Sequence, residues 1–150
     1  MIQPALTGIA GTVVEGISTN PLHAACELKV LKAHEGLSEI SFQVNEFTAN
    51  ITGHLHGGIL YAMVDVGCFM AMASLLEPGR HGVTADIQVS VLRPAVKGET
   101  VIVRGRADRI GRTLANLRAE AYAVGATGER LIGTGTVVKS LLDLAKLTAR

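Results

Sequence analysis

One carboxylate is out of keeping with its surroundings. Asp65 lies inside the run from Gly57 to Leu76, which is otherwise almost continuously apolar. An ionised acid there is unstable unless it is paired, hydrogen-bonded or used. A structural reading ties it to a backbone amide or a buried Arg. A chemical reading makes it a nucleophile or general base whose protonation is set by a partly buried site. Eight positions earlier stand two adjacent glycines, Gly57 and Gly58. At a helix entry they leave the backbone bare, so a substrate oxygen can approach unpaired N–H groups at the positive end of the helix dipole. Such donors can hold a developing oxyanion. The competing reading is a close helix–sheet packing point that has no room for a side chain.

On one helix, eight residues place Gly57 and Asp65 about 12 Å apart along the axis, with roughly 80° between their directions. One protomer cannot readily aim both at a single carbonyl. Two such helices lying antiparallel across a two-fold axis would bring the Gly57 end of one near the Asp65 turn of the other. That arrangement makes a homodimer with two shared sites.

The elements that must position these residues follow from hydrophobic period. Leu6, Ile9, Val13 and Ile17 recur at helical spacing, predicting an N-terminal helix over 1–20. Leu28 and Val30, then Ile40, Phe42 and Val44, alternate with polar residues, predicting two strands with His34-Glu35-Gly36 as the turn between them. The Gly57–Leu76 run predicts the longest helix, stopped by Glu77-Pro78-Gly79. Its length approaches a membrane span, but Asp65 in its middle would cost roughly 2.5–3.5 kcal/mol in a bilayer. A helix apolar on all sides can equally be wrapped by protein.

Four strands follow. Val83, Ala85, Ile87, Val89 and Val91 read as one apolar face opposite Thr84, Asp86, Gln88 and Ser90. Val101 and Val103 face away from Arg104, Arg106 and Asp108. Turns at Gly111 and at Gly125 to Gly128 lead into Thr113–Val124 and Leu131–Leu141. Strands joined by short turns are antiparallel, and their sheet must bury its apolar face on the central helix. The expected class is α+β, with about six antiparallel strands wrapped around one long helix. Single-domain organisation over 1–150 is expected, since no Pro/Gly/Ser-rich tract divides the 150 residues.

Composition narrows the function. A net charge of +1, from 14 basic and 13 acidic residues scattered along the chain, leaves no electrostatic footprint for nucleic acid or an anionic membrane. Cys26 and Cys68 are too few for a disulfide framework, and without a basic start the N-terminus does not read as a secretory signal, so a cytoplasmic location is expected. Cys68 has no partnered base in view and reads as packing. His54 and His56 lack a third ligand at useful spacing, so no metal is expected. Met63, Met70 and Met72 read as core or as adaptable lining of an acyl tunnel.

The segment Asn50 to Asp65, with His56-Gly57-Gly58 and the acid eight residues after the first glycine, resembles the signature of hotdog-fold acyl-CoA thioesterases of the phenylacetate-degradation and 4-hydroxybenzoyl-CoA types. The resemblance runs from about Gly36 to Leu141 and includes Gly82-Val83-Thr84-Ala85-Asp86, Leu92-Arg93-Pro94-Ala95 and Gly111-Arg112-Thr113. It implies that Asp65 attacks the thioester or activates water and that the Gly57 amide polarises the carbonyl, with Gly58 beside it among the residues that bind the substrate. Asn50 would position water or the carbonyl, His56 would order the helix entry and hydrogen-bond near the thioester, and Thr84 would hold water. Departing from the 4-hydroxybenzoyl-CoA branch, the acid is Asp and Phe69 occupies the place of a hydroxyl residue one turn later, which favours the phenylacetate or mammalian type. The implied substrate is an acyl-CoA, aryl or medium-chain, with no separate cofactor. Arg93, Arg109 and Arg112 are implied as contacts for its phosphates, and dimers of this fold commonly pair into tetramers. A hydratase is disfavoured because the chain lacks an Asp-x-Asn-Pro-x-His motif. A non-catalytic acyl-CoA binder is disfavoured by the joint presence of Asp65, Asn50 and Gly57.

Overall fold

The computed structural model describes residues 11–149, and the earlier part of the expected N-terminal helix lies outside them. Within them the order is α1 (Gly11–Thr19), α2 (Pro21–Ala25), β1 (Lys29–His34), β2 (Leu37–Gln43), α3 (Gly57–Ala73), β3 (Arg80–Val91), β4 (Thr100–Ile110), β5 (Leu114–Gly125), β6 (Gly128–Asp143) and α4 (Leu144–Thr148). The six strands form one antiparallel sheet in the order β1-β2-β4-β5-β6-β3. It curls around α3, which is the hotdog arrangement. No described helix is long and apolar enough to cross a membrane.

Local chemistry explains the joints. Glu35 and Gly36 both have positive φ, 51° and 78°, as a tight turn matching the twist of a β1–β2 hairpin requires. The Gly36 N–H donates to Ser74 Oγ at 2.8 Å, so the hairpin is fastened to the C-cap of α3. That cap stops the helix at Ala73, three residues before Leu76.

The helix is held by burial. Leu60, Met63, Val64, Met70 and Met72 are fully enclosed against Ile40, Phe42, Val101, Val103 and Val137 of the sheet. Each large side chain removed from water in this way contributes about 1.5–3 kcal/mol. Glycines set the closest approaches. A Cβ on Gly105 of β4 would lie 2.5 Å from the Gly67 carbonyl oxygen, and one on Gly135 of β6 would lie 2.6 Å from Val64.

One expectation is corrected. The odd residues of β3 do not share a buried face: Val83 and Ala85 are exposed, and only Ile87 and Val89 pack on the core. The register with β6 shifts between Thr84 and Asp86, leaving Ala85 as a bulge. One extra residue reverses which side of the sheet the following residues face. Before the bulge Gly82 and Thr84 therefore point toward α3.

Candidate active site

The inward turn of Thr84 brings it to Asp65. Its hydroxyl donates to Asp65 Oδ1 at 2.8 Å. A third residue completes the cluster: Lys139 Nζ donates to the same Oδ1 at 2.7 Å and to Thr84 Oγ1 at 2.8 Å. Lys139 is directly opposite Thr84 across the β3–β6 pair. It belongs to the inward-facing row with Val137 and Leu141, and its side chain is only 3% exposed, against 32% for Asp65. Asp65 thus has a buried cation, a Lys in place of the Arg of the structural reading, yet it is not sealed. Both bonds fall on Oδ1, and among the described residues no hydrogen bond reaches Oδ2. Tyr61, Asp65 and Phe69, spaced four apart on α3, share the stripe that the sheet leaves partly open.

Lys139 was not singled out from the sequence, although a signal was present. A lysine in phase with Val137 and Leu141 breaks the alternation of an otherwise buried row. Its partner could not be read, because Asp65 lies on another element 74 residues earlier.

The helix entry is built separately. His56 is the N-cap of α3, and its Nδ1 accepts the Gly58 N–H at 2.9 Å. The Ile59 and Leu60 N–H groups donate to the His56 carbonyl. Gly58 therefore has no amide to offer a ligand. The Gly57 N–H has no acceptor among the described residues, and a Cβ built on Gly57 would meet nothing within 4 Å. The close-packing explanation of the glycine pair therefore fails at Gly57. Its absent side chain keeps open a free N–H in the first helical turn.

Asn50 shapes the approach to that N–H. Its Oδ1 accepts from the Thr52 and His54 backbone N–H groups and from Thr52 Oγ1, between 2.8 and 3.1 Å. This consumes the acceptor side and leaves the amide –NH2 to point elsewhere. Asn50, Gly57, Leu60 and Arg93 line one cavity of about 430 Å³. Arg93 is anchored there, Nη1 donating to the Leu131 carbonyl at 2.8 Å.

Asp65, Thr84 and His56 are not among the residues lining that cavity. The structure therefore gathers the residues singled out from the sequence into two clusters: Asn50, Gly57 and Arg93 in one, Asp65 and Thr84 in the other. Arg109 and Arg112 belong to neither. They lie exposed around the β4–β5 turn, where the Arg112 carbonyl accepts from Arg80 at the start of β3. Arg93 lies just past the opposite end of that strand.

Neither cysteine competes for the chemistry. Cys68 is fully buried, and burial pushes its thiol up to about 12. His54 bonds Thr52 Oγ1 at 2.9 Å. Among the described residues no group of three or more His, Cys, Asp or Glu is arranged to hold a metal ion.

The family model described as the thioesterase superfamily matches residues 52–129, a span from the loop before α3 to the start of β6. A putative esterase of Deinococcus radiodurans is 32% identical over 111 residues, 73% of each chain. Mouse acyl-coenzyme A thioesterase 13 is 30% identical over 125 residues, 83% of this chain and 77% of its own length. Among solved structures, a thioesterase family protein from Silicibacter pomeroyi superposes with a TM-score of 0.80 at 28% identity, covering 86% of this chain and 94% of that one.

Proposed function

Because the chain belongs to the thioesterase superfamily, we propose that it hydrolyses acyl-CoA thioesters, with the Gly57 N–H and Asp65 as the reacting pair. The observation that carries this reading is the Gly57 amide: it is free of any acceptor among the described residues, and packing gives no reason for its glycine. It stands apart from a carboxylate whose Oδ2 is likewise free. A group that stabilises negative oxygen and a group that attacks or deprotonates are the two requirements of thioester hydrolysis.

Two protomers related by a two-fold axis, with their α3 helices antiparallel, would join the Gly57 cavity of one to the Asp65 cluster of the other. The thioester oxygen would then accept the Gly57 N–H, with the Asn50 amide nearby to hold a water or the carbonyl. Oδ2 of the partner's Asp65 would either bond to the carbonyl carbon, expelling the CoA thiolate and leaving an anhydride for water to cleave, or take a proton from the water that attacks. Either route consumes one water and yields a free acid and CoA. Thr84, whose proton is committed to Oδ1, keeps a lone pair able to accept from that water. Arg93, at the cavity wall, suits a phosphate of the CoA moiety.

Thiol release from a panel of aryl and medium-chain acyl-CoAs tests the reading. Wild-type turnover is expected, and Asp65→Asn should retain the fold while losing about 10²–10⁴-fold in kcat. Unchanged turnover in that variant removes Asp65 from the chemistry. Tight binding of acyl-CoA without thiol release would replace the hydrolase with a binder. A single turnover in ¹⁸O-water separates the routes, because only the anhydride route can leave label in Asp65.

A further inference from the structure

The proposed reaction uses Asp65, but nothing in it calls for Lys139. Placing an ammonium group in the buried row of β6 is costly. Replacing such an ion pair with apolar residues of similar volume is often neutral or stabilising, so stability alone does not account for it. The geometry supplies a different reason. Lys139 Nζ bonds both Asp65 Oδ1 and Thr84 Oγ1, and Thr84 in turn donates to Oδ1, closing a three-membered ring of hydrogen bonds at 2.7–2.8 Å. The Phe69 ring, 5.7 Å from Nζ, packs beside the ammonium one helical turn beyond Asp65.

We propose that Lys139 is a positioning residue for the reaction, one that clamps Oδ1 of Asp65 so that Oδ2 alone is presented to the thioester or its water. The inference rests on the reading of Asp65 as the reacting carboxylate. Two donors on one oxygen fix the rotation of the carboxyl group about its terminal bond, which is otherwise broad and two-fold. The clamp also explains why the bulge at Ala85 matters, since without it Thr84 would face away and Lys139 would have only one acceptor. Lys139 touches no reacting atom and acts through Asp65.

The test compares wild type, Lys139→Met, Asp65→Asn and the double variant by thiol release and by thermal melting. Whereas the double variant, which removes both charges, should melt near wild type, Lys139→Met leaves Asp65 without its cation and is expected to melt lower. Its KM should stay within about twofold while kcat falls about ten- to a hundredfold, the scale of losing one charge-assisted hydrogen bond. The double variant should be no slower than Asp65→Asn, because residues acting as a unit are not additive. Lys139→Gln, which keeps a donor without the charge, should recover part of kcat, and it serves as the probe if the Met variant fails to fold.

Unchanged kcat in a folded Lys139 variant overturns the proposal, as does a loss that multiplies with that of Asp65→Asn. Either result leaves the hydrolase reading intact if wild type turns over and Asp65→Asn does not. A wild type that releases no thiol overturns both.

Discussion

Gly105 on β4 lies directly against the carbonyl of Gly67 on α3. A Cβ at Gly105 would stand 2.5 Å from both the Gly67 oxygen and Ser38 Oγ. Ser38 Oγ already donates to that carbonyl at 2.6 Å, so the helix is pinned to the sheet by a side-chain hydrogen bond where neither backbone carries a side chain. Asp65 is only two residues from this pin, and the distance between α3 and the sheet sets how far Asp65 stands from Thr84 and Lys139.

Gly105→Ala should therefore destabilise the fold by about 1–3 kcal/mol, the scale of an overpacked core, because the obstructing atoms are mainly backbone. Denaturant midpoints against wild type give the figure. A midpoint equal to wild type would mean that α3 can lift off the sheet without penalty.

Gly57→Ala should behave in the opposite way. The added methyl meets open space and removes freedom from the unfolded chain, so stability should hold or rise by up to about 1 kcal/mol. The same methyl stands beside the free N–H, and turnover should fall about tenfold or more as the carbonyl is displaced. Parallel melting and thiol-release measurements check the split; full activity in the alanine variant would argue against Gly57 as the carbonyl site.

The wall of the Gly57 cavity should be acid-sensitive. Glu99 bonds Arg130 at 2.6 and 2.7 Å and accepts the Val96 N–H, while Arg130 also donates to the Pro94 carbonyl. The Arg130 guanidinium, helped by the Val96 amide and opposed by partial burial, holds the Glu99 carboxyl below its usual 4.5. A group lowered on folding adds stability that is complete above its unfolded value and is lost as pH falls through the folded one. Wild type should thus be more stable than Glu99→Gln near neutral pH, and the gap should close in acid. Urea midpoints across that range measure it, and a gap that widens with acid would reverse the sign.

Thiol reagents should spare the native protein. Cys26 and Cys68 are both fully buried, and burial raises both thiols, Cys68 to about 12. Iodoacetamide at neutral pH should modify neither until denaturant is added, and turnover should survive the treatment. Rapid labelling with loss of activity would place a reactive cysteine in the site.

The sequence by itself determined the central helix, the strands and the unusual residues, though not the short helices α2 and α4. A long apolar run reads as a wrapped or spanning helix, period-two stretches joined by short glycine turns read as antiparallel strands, and an acid within the run and a bare glycine at its head are visible without coordinates. The tertiary structure alone decided how these residues are used. It distinguished Gly57 from Gly58, because capping by His56 consumes one amide and not the other. It turned Thr84 inward through a single bulged residue at Ala85, which a pattern of alternation cannot anticipate because the pattern assumes an unbroken pleat. It also gave Asp65 its cation, Lys139, through a contact between residues 74 positions apart. Local period reports which face a residue occupies; only the path of the chain reports what it meets there.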